Sequence, residues 1–122
     1  MHNLKELKIW KKAIDLAVEV YRVSALFPPD EKYGLISQTR RAAVSISSNI
    51  AEGAGRNSEK EFKYFLGIAN GSSFELQTQL FISNKLSLLS NEDLEKIFQQ
   101  IEELQKMNYG FQNMLNKKSS TN

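Results

Sequence analysis

Few residues in this sequence have side chains that commonly do chemistry. The 122-residue chain has no cysteine, and its one histidine is His2. Without cysteine the chain can form no disulfide, no thiolate nucleophile and no cysteine-based metal centre. A di-iron helical bundle requires Glu-x-x-His motifs, which a single histidine near the N-terminus cannot supply. The sequence therefore predicts no metal or cofactor site, and we expect His2 to lie in a frayed terminus.

Serine and glycine, although frequent, do not form a recognisable catalytic or phosphate-binding pattern. No serine lies near a histidine in a helix, so a serine nucleophile would need a lysine as its base. The run Gly53-Ala54-Gly55-Arg56 follows a helix, whereas phosphate-binding loops follow a strand. Capping of the preceding helix by Gly53 or Gly55 in the left-handed conformation explains the glycines. Arg56, just ahead of the next helix, could still hold an anion. We expect no enzymatic activity and no small-molecule substrate.

Helices must position these side chains. Apolar residues recur at intervals of three and four, and the alternation typical of strands is missing. Breakers at 27–30, 53–57 and 89–91 separate four segments. The predicted helices cover about residues 7–26, 33–53, 59–88 and 92–116. Short connections between helices of this length favour an all-α, antiparallel, up-down-up-down four-helix bundle.

Composition predicts a single globular domain over residues 1–116 and a disordered tail over 117–122. The chain is 41% hydrophobic and 25% charged, which is typical of globular proteins. No apolar run approaches the roughly 20 residues that span a bilayer, and the chain start lacks the apolar core of a secretory signal. We therefore expect a cytoplasmic protein that does not bind a membrane.

The second segment carries a line of polar residues at the spacing of a coiled-coil contact. This polar seam consists of Gln38, Arg41, Ser45, Ser48 and Glu52, at successive spacings of 3, 4, 3 and 4. One interpretation is that the seam faces water. The other is a hydrogen-bond network between helices or subunits that fixes their register, in which a buried Arg41 would need a carboxylate such as Glu52 or Glu75.

The third segment begins with a capping-box pattern and contains a glycine in its middle. Ser58 and Glu61 are placed to satisfy free backbone N–H groups at the helix start. Gly71 would cost about 1 kcal/mol relative to alanine in an exposed helix. We expect a close crossing against the small residues of the second helix to compensate this cost, with a kink as the alternative.

Basic residues indicate where a nucleic acid could bind. The net charge of +2 permits such a partner without arguing for one. One loose group surrounds Trp10, with Lys5, Lys8 and Lys12. The other lies near the second loop and comprises the candidate nucleic-acid contacts Arg40, Arg56, Lys60 and Lys63.

Residues 38–56, QTRRAAVSISSNIAEGAGR, closely resemble the signature of the four-helix-bundle proteins encoded in intervening sequences of bacterial 23S ribosomal RNA genes. The match covers roughly residues 4 to 90. It extends to Trp10, Phe27-Pro28, Glu31 to Leu35, Ser58 to Phe62, Ile68-Ala69, Gly71-Ser72 and Glu75-Leu76.

This resemblance implies a left-handed antiparallel bundle that forms homopentamers and has no catalytic activity. A related branch resembles the accessory variability determinant of diversity-generating retroelements, a basic pentamer that works with a reverse transcriptase and nucleic acid. The family pattern also includes Gly53 and Arg56. The positions expected to form a polar assembly network are Arg41, Ser45, Asn49, Glu52, Gly71, Ser72 and Glu75.

One departure from the family pattern bears on function. Asn70 stands where the family usually has arginine, which removes a positive charge from the shared surface. We therefore expect a non-enzymatic homo-oligomer, a pentamer by the resemblance, that associates with RNA or DNA. The alternative is a protein-interaction scaffold that binds no nucleic acid.

Overall fold

The computed structural model describes residues 2–121, with side chains described as far as residue 117. It confirms the all-α four-helix bundle. Short 3-10 turns cover Leu4–Glu6 and Pro29–Glu31. The four helices of the described chain are α1 Lys8–Ser24, α2 Leu35–Ala54, α3 Glu59–Lys85 and α4 Asn91–Thr121.

Each helix packs against its neighbours in the chain, and α1 also packs against α4, which closes the ring. In every adjacent pair, contacts that lie further along one helix lie closer to the start of the other. The pairs that show this are Tyr21 with Arg40, Ser45 with Ser72, Gly53 with Phe62, Leu66 with Asn108, Phe81 with Phe98, Lys12 with Glu103 and Arg22 with Asp93. Neighbouring helices are thus antiparallel, whereas the left-handed sense of the bundle stays a prediction.

The core lies between the four helices and is built from aliphatic side chains at helical spacing. Fully buried members include Leu16 and Val20 of α1, Ile46 and Ile50 of α2, Leu66, Leu76 and Leu80 of α3, and Ile97 and Ile101 of α4. Phe62 is the one aromatic residue among the largest fully buried side chains of the described chain. The apolar stripe of each helix therefore faces the interior of the bundle.

The helix ends follow local chemistry, and one of them corrects a prediction. Ser58 Oγ accepts from the N–H of Glu61 at 3.1 Å, which confirms the predicted N-cap of α3. No glycine of the described chain has a positive φ, so the expected left-handed cap at Gly53 or Gly55 is wrong. Helix α2 runs through Gly53 to Ala54. The left-handed residue is instead Ser87, after α3, with φ 63°.

The N-terminal segment is folded onto the bundle, which corrects the expectation that His2 is frayed. The backbone N–H of His2 donates to the carbonyl of Ala54 at 3.0 Å. Its imidazole Nε2 lies 3.3 Å from Glu59 Oε1, and its ring packs edge-on against Phe62 at 4.8 Å. An aromatic contact and two polar contacts outweigh the tendency of a chain end to fray.

Helix α4 is longer than expected. The prediction ended it at residue 116 and placed a disordered tail at 117–122, whereas the helix continues to Thr121. Residue 122 and the side chains beyond Lys117 lie outside the described residues. The described chain contains no helix long and apolar enough to cross a membrane.

Candidate assembly seam and nucleic-acid interface

Three of the predicted assembly residues form one polar contact between α2 and α3. The hydroxyls of Ser45 and Ser72 lie 3.0 Å apart, across the two helices. The amide Nδ2 of Asn49 donates to the Ser45 carbonyl at 2.8 Å and to its hydroxyl at 3.1 Å. All three side chains are half-buried. Because each hydroxyl has a partner, this contact fixes the register of α2 on α3 without leaving a buried donor unpaired.

The charged members of the predicted network lie apart from that contact. Arg41 is exposed and donates from Nη2 to Gln38 Oε1 at 3.1 Å, not to Glu52 or Glu75. Glu52 is also exposed and accepts from Arg56 at 2.7 Å. These pairs lie within single helices or at a helix end. Within one chain, Ser45 of the polar seam contacts α3, whereas Arg41, Ser48 and Glu52 are exposed to solvent.

The expected close crossing at Gly71 is wrong. A Cβ at Gly71 would meet nothing within 4 Å, because this residue lies on the outward side of α3. The close approach occurs at Gly53, where an added Cβ would lie 2.8 Å from Phe62 Cδ1 and 2.9 Å from Phe65 Cβ. The apolar spacing of Ile46, Ile50 and Gly53 carried this signal, since it places Gly53 on the inward stripe.

Two of the four candidate nucleic-acid contacts already have structural partners. Arg40 donates from Nε to Ser24 Oγ at 2.8 Å and from Nη2 to the Tyr21 carbonyl at 3.3 Å. Its guanidinium also lies 4.5 Å from the centre of the Tyr21 ring. The Tyr21 carbonyl also accepts from the N–H of Ala25, so Arg40 adds a further donor at the C-terminus of α1, where the helix dipole favours positive charge. Arg40 thus holds α1 against α2.

Arg56 is held in a similar way. Besides its ion pair with Glu52, its guanidinium lies 4.8 Å from the centre of the Phe65 ring. An anion bound by Arg56 would have to compete with the carboxylate of Glu52. The arginine joins the end of α2 to the first turns of α3.

Lys60 and Lys63 are the two candidate contacts that face outward without a hydrogen bond or ion pair among the described residues. Both are exposed on α3 and line, with Tyr64 and Gln112, a shallow concavity of about 580 Å³. Tyr64 is 66% exposed. The sequence analysis missed this tyrosine, although its position four residues after Lys60 places the two side chains on one helix face.

The sequence analysis also missed an amide network between α3 and α4. Buried Asn108 donates from Nδ2 to the Leu66 carbonyl at 2.9 Å, and its Oδ1 accepts from Gln112 at 2.6 Å. One turn away, Gln105 Nε2 donates to Ser73 Oγ and to Gln77 Oε1, each at 3.0 Å. The signal was the presence of Asn108 in an otherwise apolar stripe. This network fixes the register of α4 on α3.

Titratable groups with shifted pKa values lie away from these surfaces. The hydrogen bonds from Arg22 hold the pKa of Glu19 below its usual value, and Lys96 adds to the effect. These residues tie α1 to α4 through Asp93. Among the described residues no group of three His, Asp or Glu side chains could hold a metal ion.

Comparison with known families identifies the chain. The model of the 23S rRNA-intervening sequence protein family matches residues 5–110. The chain belongs to this family. The family description names no enzymatic activity. No curated protein matches the chain.

A solved structure confirms the fold of this 23S rRNA-intervening sequence protein. It is the 1.70 Å crystal structure of a protein with unknown function from the S23 ribosomal protein family of Bacteroides thetaiotaomicron VPI-5482. The TM-score is 0.79 at 22% identity, and the alignment covers 85% of this chain and 97% of the other. At this identity the similarity establishes the shared bundle alone.

Asn70, where the resemblance implies an arginine, lies near the amide network. Asn70 is half-buried on α3, and its backbone carbonyl accepts from Ser73 Oγ at 2.6 Å. The α3 face is therefore less basic than the resemblance implies.

Proposed function

We propose that this protein is a non-enzymatic, homo-oligomeric helical bundle that associates with RNA in the cytoplasm. The observation that carries the assembly is a line of exposed residues on α3. Ile68, Glu75 and Ile82 are spaced by seven residues, and the two isoleucines are 37% and 46% exposed. We name this line the α3 ridge. The two isoleucines offer apolar area to a second helix, and Glu75 between them offers a carboxylate.

The α3 ridge runs beside the polar seam of α2. Arg41 and Ser48 of the seam are exposed, as is Val44 between them, at 41%. This combined surface offers apolar side chains with a guanidinium and a carboxylate that a second copy could pair. Burial of the isoleucines would stabilise the assembly by removing apolar area from water. The pentameric number comes from the resemblance alone.

Charge on the α3 ridge tests the assembly. Ile82→Arg places an unpaired cation where a second copy would pack, so we expect a smaller assembly. Val18→Arg is the matched control, because Val18 is 64% exposed on α1, away from the ridge. Light scattering at tens of micromolar should show a loss of mass for Ile82→Arg alone. Equal masses for both variants would exclude the ridge as the interface.

Association with RNA is supported by the outward-facing Lys60 and Lys63. Repetition of these lysines around an oligomer would multiply a weak contact. Binding should weaken steeply as salt rises, because lysine contacts release counterions from the phosphates. Absence of binding to both structured and single-stranded RNA at about 50 mM salt would refute this function.

The second candidate function is a protein-interaction scaffold that binds no nucleic acid. It is favoured by a mostly apolar concavity of about 360 Å³ near the end of α3, lined by Thr78, Phe81, Ile82 and Phe98. Such a contact would depend little on salt and would survive charge reversal at Lys60 and Lys63. A pull-down with and without nuclease distinguishes the two functions, since nuclease abolishes only RNA-mediated capture.

A further inference from the structure

Two exposed tyrosines accompany lysines on the surface that α3 and α4 share. Tyr64 of α3 is 66% exposed, and Tyr109 of α4 is 72% exposed. Lys60 and Lys63 flank the first tyrosine, and Lys106 lies one turn from the second. We name these five residues the basic–aromatic face. Exposed aromatic rings beside lysines are the side chains with which proteins bind single-stranded nucleic acids.

Hydrogen bonds between the helices hold the two halves of this face together. Gln112 of α4 lines the concavity of Lys60, Lys63 and Tyr64. Ile68 of the α3 ridge also lines it, so a second copy packed on the ridge would border this concavity. Tyr109 lies three residues earlier on α4 and lines a second concavity of about 380 Å³ with Lys106.

The register between the two concavities is set by the amide network. Asn108 bonds to Leu66 of α3, and Gln105 bonds to Ser73 further along the same helix. The lysine-lined end of α3 and the Tyr109 region of α4 therefore lie side by side.

The lysines of this face are available to a ligand. Within the described part of the chain, Lys60, Lys63 and Lys106 form no ion pair. Lys12 and Lys96, by contrast, each pair with a glutamate. All three are exposed. Glu102 is the one carboxylate that lines either concavity, and it lies in the second. Three free cations beside one anion give the face a positive balance that suits phosphates.

We propose that the basic–aromatic face binds single-stranded RNA, with bases stacked on Tyr64 and Tyr109 and phosphates neutralised by the three lysines. The inference rests on the proposed association with RNA and names the form of RNA and the surface. A base stacks on a tyrosine ring only when it is free of its own helix, so a duplex cannot use the rings. Arg40 and Arg56, already bonded within the chain, are not part of this surface.

Fluorescence anisotropy with one labelled RNA strand of mixed sequence, alone and annealed to its complement, tests the proposal. We expect the full-length protein to bind the single strand at least 10-fold more tightly than the duplex, by the strength of base–tyrosine stacking. Tyr64→Ala and Tyr109→Ala should each weaken single-strand binding roughly 10-fold and leave duplex binding unchanged. Tyr64→Phe should keep the affinity, because it keeps the ring.

Tyr33→Ala is the matched control. Tyr33 is 86% exposed and has Lys32 at 5.5 Å from its ring centre. It lies just before the start of α2, at the other end of the bundle from Tyr64, which is near the start of α3. Its loss should not change the affinity. Lys60→Gln and Lys63→Gln should each lower the slope of log affinity against log salt by about 0.7. These exposed lysines provide the test even where an alanine variant folds poorly.

The outcomes separate this inference from the proposed function. Single-strand binding that falls equally with Tyr33→Ala, or that is unaffected by the Tyr64 and Tyr109 variants, would overturn the basic–aromatic face while leaving RNA association intact. Equal affinity for strand and duplex would overturn the single-strand preference. No binding of either form by the wild-type protein would refute both.

Discussion

Replacing Gly53 of α2 or Gly71 of α3 by alanine should change the free energy of unfolding in opposite directions. Gly53→Ala introduces a methyl group 2.8 Å from Phe62 Cδ1, 2.9 Å from Phe65 Cβ and 3.2 Å from the Phe62 carbonyl. The latter two atoms belong to, or lie next to, the α3 backbone. Because Phe62 is itself 1% exposed, the methyl group can be accommodated only by moving α3 away from α2.

The magnitude follows from two opposing terms. Overpacking of a dense contact costs about 1–3 kcal/mol, and three contacts this short place Gly53→Ala near the upper end. Alanine returns at most about 1 kcal/mol of helix propensity. We therefore expect Gly53→Ala to lower the free energy of unfolding by about 2 kcal/mol. Gly71→Ala meets nothing and should raise it by about 1 kcal/mol.

Urea denaturation followed by helical circular dichroism measures both variants, at one fixed protomer concentration so that assembly does not shift the midpoints. An unchanged slope of the free energy of unfolding against urea concentration would show that the two variants alter stability rather than the surface exposed on unfolding. If Gly53→Ala were as stable as the wild type, the close approach of α2 and α3 at this residue would be refuted. A destabilised Gly71→Ala would show that this residue faces a second helix.

Three further predictions concern the helix ends and the polar contacts. Ser87→Gly should stabilise the protein by about 0.5–1 kcal/mol in urea denaturation, because glycine adopts a positive φ without strain; a loss of stability would contradict the cap. Asn108→Ala should cost about 1–3 kcal/mol, since it removes a buried amide that bonds to the Leu66 carbonyl and to Gln112, and an effect no larger than that of exposed Asn113→Ala would argue against these bonds. The paired carboxylate of Glu19 has a lowered pKa and therefore stabilises the fold above its ordinary value of 4.5, a contribution lost as the pH falls through the lower, folded-state pKa. Glu19→Gln should remove that part of the pH dependence, whereas an unchanged acid profile would show the pair to be energetically neutral.

The helices and several of their ends could be predicted from sequence because their causes are local. Pro28 and Pro29 exclude a continuing helix, and α1 ends at Ser24, shortly before them. Ser58 was recognised as a cap from its hydroxyl and its spacing alone. The apolar period gave the buried stripes directly. Each of these signals acts within a few residues of the chain.

The left-handed residue after α3 shows where local reasoning fails. Ser87 is followed by a bond from the Leu88 N–H to the Ser83 carbonyl at 2.9 Å, the six-residue closure of a Schellman motif. Glycine is the usual residue at that position, so serine gave no warning. The packing of Leu89, which is 4% exposed, favours this path into α4 despite the conformational cost.

The candidate site was harder to predict because it depends on which helix face meets which. The period of α2 placed Ser45 in the polar seam, the resemblance added Asn49 and Ser72, and these three side chains do meet. The spacing could not tell whether Arg41 would reach Glu75, because that depends on how α2 and α3 face each other. Arg40 and Arg56 were grouped by charge, whereas their hydrogen bonds depend on contacts with distant parts of the chain.

The central claim is that copies of this chain assemble through the α2 and α3 surface. Sedimentation velocity of the wild-type protein at tens of micromolar tests it most directly. The account predicts a single species whose mass is a multiple of the 13.9 kDa protomer, a pentamer by the family resemblance. A species of 13.9 kDa that does not grow with concentration would contradict the claim.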